Sequence, residues 1–315
     1  MISLRYHIVS IAAVFLALAV GVVLGSTALG GSLLSALTED RDELAKRASS
    51  LEAERNELQA RLDDQDAFSA SVGPKIVAGS LDKRTVLLVT NYDARPADRD
   101  ALRKLITAAG GKVTGEVQLT EAFADPGQAD QLAELATRLQ PAGAKFPTAG
   151  GPGTLAGALL GHTLLLDAKT AQPQSTAAER DAALAGLADG GFIKEPGDVQ
   201  AAQLAVVLVG GELTGDGVGD RTATISRFAT ELDKASAGVV LAGTPAAAKS
   251  TGPIGYTRSD TASTEVLSTV DNVDTAAGRV VTVLALREQL EGDAGQYGIA
   301  GNAQGPAPGV AGKGD

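Results

Sequence analysis

The chain is 315 residues long and carries 27 Lys+Arg against 38 Asp+Glu, which gives a formal net charge of −11. It contains no cysteine, no tryptophan, one methionine and two histidines. These counts exclude a disulfide framework, a thiolate nucleophile and a cysteine-based zinc site, and the acidic balance argues against nucleic acid as a partner.

An apolar segment lies near the amino terminus. Ile8–Leu24 reads IVSIAAVFLALAVGVVL, and a membrane-spanning helix needs roughly 17–25 such residues. We therefore predict an uncleaved signal-anchor within residues 1–36, with a cleavable signal peptide as the alternative. Because Arg5 precedes the segment and acidic residues follow it, the positive-inside rule places the amino terminus in the cytoplasm and the rest of the chain outside.

A heptad repeat follows the apolar segment. Its d positions and its last a position are occupied by Leu37, Leu44, Leu51, Leu58 and Leu62. This seam predicts a coiled coil over residues 37–71, and Arg47 at g with Glu52 at the following e favours a parallel pair. We therefore predict a parallel homodimer through these leucines. A single amphipathic helix lying on the chain's own globular domain is the alternative.

Residues 72–291 alternate between apolar runs of strand length and helical patterns, which predicts one extracytoplasmic α/β domain with a Rossmann-like, mostly parallel sheet. The predicted strands are Thr85–Thr90, Lys112–Leu119, His162–Leu166, Leu204–Val209 and Val239–Ala242. The predicted helices are Arg99–Ala109, Gln128–Leu139, Leu155–Leu160, Thr176–Ala188, Arg221–Ser236 and Asp274–Leu290. Two subdomains divided near Gln172-Pro173 are the alternative. Residues 292–315 contain little besides Gly, Ala, Pro and Gln, and are predicted to be a disordered tail.

Two polar loops follow predicted strands, at the edge where ligands of open α/β sheets bind. Asn91 and Asp93 follow the first strand, and Glu212, Asp216 and Asp220 lie in a glycine-rich loop after the fourth. We treat these five residues as a speculative ligand loop. The loop matches neither a dinucleotide-binding nor a Walker A motif, and its carboxylates would repel a phosphate. A nucleotide and a divalent cation held by Asp93, Glu212 and Asp216 are two equally weak interpretations, because loop carboxylates are usually solvated turn and cap residues.

The sequence offers no catalytic residue. His162 is one of two histidines, and no nucleophile motif such as GxSxG accompanies it. We interpret it as a satisfied or edge histidine rather than a catalytic base. No cofactor is evident, and we predict that the protein is not an enzyme.

Three segments resemble one actinobacterial family: MISLRYHIVSIAAVFLALAVGVVLGS, VTNYDARPADRDAL and STVDNVDTAAGRVVTVLALREQL. This is the family named after the mycobacterial copper-transport protein MctB, and the chain is also similar to the corynebacterial cell-division protein SteB. The resemblance covers nearly the whole chain except the Gly/Pro-rich tail. It implies a membrane or envelope location and one of two roles. The first is copper homeostasis or copper transport across the envelope. The second is a non-enzymatic division scaffold that acts with a divisome or envelope protein to regulate a peptidoglycan hydrolase.

Copper is implied by this resemblance alone. Cu(I) prefers thiolate and thioether ligands, whereas Cu(II) favours imidazole. After the predicted membrane segment the chain has no cysteine, no methionine and one histidine. The residues themselves favour an anchored scaffold.

Overall fold

The computed structural model describes residues 4–309, with side chains described outside residues 26–36. Its helices are α1 (Leu4–Ile76), α2 (Pro96–Ala108), α3 (Ala129–Arg138), α4 (Pro152–Leu164), α5 (Ala177–Asp189), α6 (Val218–Lys234), α7 (Pro253–Arg258), α8 (Thr261–Thr264) and α9 (Ala276–Glu291). Its strands are β1 (Thr85–Thr90), β2 (Lys112–Gln118), β3 (Leu204–Leu208), β4 (Val239–Ala242), β5 (Ser268–Val270) and β6 (Gln296–Tyr297). The first three residues of the predicted 1–36 segment, and residues 310–315 of the predicted tail, lie outside the described residues.

The chain divides into two units, Met1–Gln65 and Asp66–Asp315. In the first unit the described residues are helical, and Leu4–Gly25 is long and apolar enough to cross a membrane by length and composition. None of that segment is buried inside the protein. The second unit contains the sheet and helices α2 to α9, and we call it the α/β unit.

The six strands run parallel in one sheet of order β2-β1-β3-β4-β5-β6. Strands β3, β4 and β5 are buried along their whole length, because helices cover both faces of a parallel sheet. The side chains of β3 and β4 are accordingly apolar, whereas the buried Ser268 and Thr269 of β5 form hydrogen bonds. After β2 the chain crosses to the other side of β1 and continues outward from there, which is a doubly wound arrangement. The predicted α/β class with a parallel sheet is confirmed.

Alternate residues of the strands point into two hydrophobic cores. Leu87 and Val89 pack into the core that includes residues of α3, α4, α5 and α6. Val86 and Leu88 pack into the other core, which includes residues of α2 and α9 together with Val77, directly after α1. Successive side chains of β1 therefore alternate between two faces of the sheet, and both faces are buried.

Helix α4 is longer than the helix predicted there. It runs through Pro152–Leu164, so the predicted helix Leu155–Leu160 is confirmed but too short. The predicted strand His162–Leu166 is wrong, because α4 continues through its first three residues and only single bridges follow at Leu165 and Leu166. Three glycines, Gly153, Gly157 and Gly161, lie along α4. They recur every fourth residue on the helix face that meets α6, and a Cβ on the first would lie 2.1 Å from the carbonyl oxygen of Thr224. The missing side chains allow the two helix backbones to approach closely.

The carboxyl-terminal segment differs from the predicted disorder over residues 292–309. Strand β6 pairs with β5, and Arg258 holds it in place by donating from Nη2 to the carbonyl oxygen of Tyr297 at 2.8 Å. The same guanidinium donates from Nη1 to Asp271 at 2.7 Å, and that carboxylate accepts from the backbone N–H of Ile299 at 2.8 Å. The prediction of disorder rests on composition alone. Composition cannot show that a short strand is held in place by a buried ion pair from another part of the chain.

Asp233 gives the α/β unit a pH-dependent stability. Burial raises the pKa of this carboxyl from 3.8 to about 7, although its ionised form accepts a hydrogen bond from the backbone N–H of Val239. The folded protein therefore keeps a proton that the unfolded chain loses, so its contribution to stability is fully present below pH ~4 and is lost as the pH rises to about 7. Asp233→Asn retains the acceptor and removes the charge. We expect the variant to unfold with a free energy about 2–4 kcal/mol higher than the parent at pH values above about 7.

Denaturant unfolding at several pH values measures this difference. The two proteins are expected to converge in stability as the pH falls towards ~4. Asp100→Asn is the matched control, because Asp100 is exposed and its pKa is lowered, mainly by a hydrogen bond from Arg99. An Asp233→Asn variant whose advantage does not change with pH would contradict the assignment.

Candidate functional site

The carboxyl ends of β1 and β3 form the point at which the strand order reverses, where doubly wound sheets usually bind ligands. The loop after β1 contains Asn91 and Asp93, and the loop after β3 contains Gly210, Gly211 and Glu212. The structure thus brings two parts of the predicted ligand loop to one edge of the sheet. We call this place the sheet crevice.

The sheet crevice is filled by its own side chains. Asn91 donates from Nδ2 to Asp93 Oδ1 at 2.6 Å, and the backbone N–H of Gly211 donates to Asp93 Oδ2 at 3.0 Å. A Cβ on Gly210 would lie only 2.2 Å from the carbonyl oxygen of Asp93. Thr244 closes the far side by donating from Oγ1 to the carbonyl oxygen of Gly210 at 2.6 Å. Asp93 therefore cross-links two loops instead of projecting towards a ligand.

The remaining carboxylates of the predicted loop point elsewhere. Glu212 accepts hydrogen bonds from Thr251 and, at 2.9 Å, from Lys249. These two donors, Thr251 first, lower the pKa of the Glu212 carboxyl. Asp216 and Asp220 are exposed, as carboxylates in turns and first helical turns usually are. Within the part of the chain that the structure describes, no group of three or more His, Cys, Asp or Glu could hold a metal ion.

One polar atom in the sheet crevice has no partner. Asn91 is fully buried, and its Oδ1 accepts no hydrogen bond among the described residues. A buried acceptor of this kind usually binds an ordered water. Asn91 acts on the loop geometry through its amide nitrogen, which donates to Asp93.

A neighbouring cluster was not predicted from the sequence. Tyr92 lies beside Arg221, whose Nη1 donates to Glu121 Oε1 at 3.1 Å. Burial raises the pKa of the Tyr92 hydroxyl, and the Asp93 carboxylate raises it further. The three side chains come from the loops after β1 and β2 and from the first turn of α6, so only their place at the same sheet edge could have suggested the contact.

His162 lies away from this edge, near the end of α4. Its Nδ1 is 3.0 Å from Oε1 of Gln174, and its ring stacks on Phe146 with 6.1 Å between the ring centroids. Gln174 in turn donates from Nε2 to the carbonyl oxygen of Ala235 at 2.7 Å. The imidazole therefore helps to join α4 to the end of α6, which is a packing role.

The exposed surface of α1 offers a second candidate site. The five predicted seam leucines, Leu37, Leu44, Leu51, Leu58 and Leu62, are between 52% and 64% exposed. We call this stripe the leucine face. Large apolar side chains in a row on one helix are typical of interaction surfaces, because water opposes their exposure.

Comparison with known proteins gives the family context. The family model described as copper transport outer membrane protein, MctB, matches residues 1–308. The chain is 38% identical over 308 residues to the copper transporter MctB of Mycobacterium tuberculosis (strain ATCC 25618 / H37Rv), which covers 96% of this chain and 98% of that protein. The copper transporter MctB of Mycobacterium leprae (strain TN) is 37% identical over 311 residues, with the same coverage.

Proposed function

The chain belongs to the MctB family, and from this premise we propose that it is a membrane-anchored protein of the cell envelope that takes part in copper homeostasis. The observation that carries the proposal is the family match over residues 1–308. The apolar helix Leu4–Gly25 supports the anchor. In this arrangement the amino terminus is cytoplasmic and the α/β unit is extracytoplasmic, as Arg5 ahead of the apolar helix favours.

Copper is the cargo in this proposal, and the residues of the chain do not fit a copper site of their own. The whole chain has no cysteine, and its methionine and histidines are Met1, His7 and His162. Soft thiolate and thioether ligands suit Cu(I), and several imidazoles suit Cu(II). His162 is already engaged by Gln174 and Phe146. We therefore propose that the protein acts on copper through another envelope protein, which it recruits or positions.

Self-association is the second part of the proposal. The leucine face supports a homodimer, because its leucines are more than half exposed in a single chain and would be buried at a two-helix seam. A dimer would hold two copies of the α/β unit in the same envelope region. Two linked binding surfaces increase apparent affinity for a partner without any new contact.

A division scaffold is the alternative function. The filled sheet crevice favours it, because the place where this fold usually binds a small molecule is closed by Asp93 and Gly210. An anchored, non-enzymatic protein with an exposed helix face is suited to regulating a cell-wall hydrolase through protein contacts. The relatives are named as copper transporters and not as enzymes, which agrees with a non-enzymatic role.

Complementation tests the copper role. The full-length chain is expressed in a mycobacterium that lacks its own family member, and growth under copper challenge and cellular copper content are measured. We expect the chain to restore copper tolerance. A variant with Val14→Arg and Leu18→Arg, which interrupts the apolar helix, is expected to leave the membrane fraction and to lose the rescue. Normal copper content with a cell-separation defect in the deletion strain would instead favour the division scaffold.

A further inference from the structure

The leucine face has two charged layers within its apolar seam. With leucine at the d positions, Arg41 and Arg55 occupy a positions, where apolar side chains normally lie. Each of these arginines is directly preceded, at a g position, by an acidic residue, Asp40 and Glu54 respectively. The acidic residue before each seam arginine is a repeated feature of the heptads.

Within one chain the seam arginines have few partners. Arg55 donates only to the neutral side chain of Asn56, at 3.3 Å, and Arg41 contacts the adjacent Asp42 at 3.0 Å. Asp40 and Glu54 make no ion pair among the described residues. Asp40, Glu54 and Arg55 are therefore available for ion pairs with another chain, whereas Arg41 would have to exchange its exposed contact with Asp42 for one across the interface.

The arginines at g positions outside these layers are arranged differently. Arg47 is held by Glu43 at 2.5 Å, and Arg61 is held by Glu57 at 2.6 Å, both across one helical turn. In these two heptads the a residue that follows is Ala48 or Leu62. Arginine at g therefore precedes an apolar layer, and an acidic g residue precedes an arginine layer.

The packing geometry of a coiled coil explains why acidic g residues precede the arginine layers. In a parallel, in-register pair, an a side chain inserts into a hole formed by the preceding d and g residues, the a residue and the next d residue of the partner helix. One such hole would be formed by Leu58, Arg61, Leu62 and Gln65. These four residues line a recess on the surface of α1. By the same geometry, the hole that receives Arg55 contains the partner's Glu54 beside the partner's Arg55, so the acidic g residue offsets the like charge at a.

We propose that the leucine face binds a second copy of this chain in parallel and in register, with Arg41 and Arg55 paired to the partner's Asp40 and the partner's Glu54. This inference rests on the proposed self-association and specifies its orientation and register. A shift by one heptad would place Arg55 beside Arg47 or Arg61 of the other chain instead of an acidic residue. The charged layers thus select one register at some cost in stability, as polar a residues do in other coiled coils.

Disulfide cross-linking tests the orientation and the register. Because the chain has no cysteine, Leu51→Cys at d introduces a single thiol into the full-length protein in native membranes. In a parallel, in-register dimer the two thiols face each other, and we expect mild oxidation to give mostly cross-linked dimer. Ala53→Cys, at the outward f position, is the matched control and is expected to stay monomeric. Equal cross-linking of the two variants, or none at Leu51→Cys, would overturn the proposal.

Charge reversal tests the ion pairs themselves. Glu54→Arg and Arg55→Glu each place like charges in one layer, so each is expected to weaken dimerisation by at least about tenfold. The double variant restores opposite charges across the interface and is expected to recover the parent affinity. Analytical ultracentrifugation in detergent measures all three. Failure of the double variant to recover would overturn the pairing, whereas a monomeric parent would instead contradict self-association and the proposed function that includes it.

Discussion

Substitution of Arg258 by methionine is expected to lower the free energy of unfolding of the α/β unit by about 3–5 kcal/mol. Arg258 and Asp271 form an ion pair whose side chains are only 3% and 0% exposed. Methionine has a similar length but leaves the Asp271 carboxylate buried without its counter-ion, and a buried unpaired charge is strongly unfavourable. The loss should be greatest around β6, because Arg258 also donates to Tyr297 and Asn302.

Pulse proteolysis of the full-length protein in denaturant measures this change. Arg287→Met is the matched control, since Arg287 and Glu291 are 56% and 60% exposed and such a surface pair is worth about 0–1 kcal/mol. Adding Asp271→Asn to Arg258→Met removes the orphaned charge and is expected to recover part of the loss. An Arg258→Met protein as stable as the control would show that the ion pair does not hold the carboxyl-terminal segment.

Substitution of Gly157 by alanine is expected to lower the free energy of unfolding of the α/β unit by about 2–3 kcal/mol. Alanine is favoured over glycine in a helix by about 1 kcal/mol, so propensity alone predicts the opposite sign. The added Cβ would lie 2.6 Å from the carbonyl oxygen of Phe228 and 2.8 Å from Cβ of Glu231. Since the first of these is backbone, α4 and α6 must move apart to accept the methyl group.

Gly219→Ala is the matched control for this substitution. Gly219 is also helical, in α6, and a Cβ there would meet nothing within 4 Å. We expect this variant to be as stable as the parent or up to about 1 kcal/mol more stable. If both alanine variants gained stability, the close approach of α4 and α6 would be contradicted.

The sequence predicted the central strands well and the short ones poorly. The apolar runs of β1, β3 and β4 are dense enough to indicate buried strands. Strand β5 has three residues and β6 has two, so both are too short to show an alternating pattern in the sequence. Strand β6 also depends on a hydrogen bond from Arg258, which lies far from it along the chain. The full length of α4 was missed, and its last turn was predicted as a strand, because its apolar residues are continuous; the spacing of Gly153, Gly157 and Gly161 was the available signal.

The candidate site was only partly predictable. Parallel strands end at the same edge of a sheet, and from this the sequence correctly predicted that Asn91 and Asp93 lie near the loop of Glu212. It could not show that Asp93 bonds to the backbone of Gly211 and closes the sheet crevice, since side-chain direction in loops depends on tertiary packing. The leucine face was readable because a seven-residue period is a local property of the sequence.

The most direct test of the account concerns copper itself. A full-length variant with His7→Ala and His162→Ala has no imidazole and still has no cysteine, so it lacks the side chains that copper prefers apart from Met1. It is expressed in the deletion strain, and cellular copper is measured by mass spectrometry under copper challenge. If the protein acts through an envelope partner, the variant restores normal copper content as fully as the parent. Loss of rescue in a variant that still reaches the membrane, and whose α/β unit unfolds in the same denaturant range as the parent's, would show that the chain handles copper with its own residues and would contradict the account.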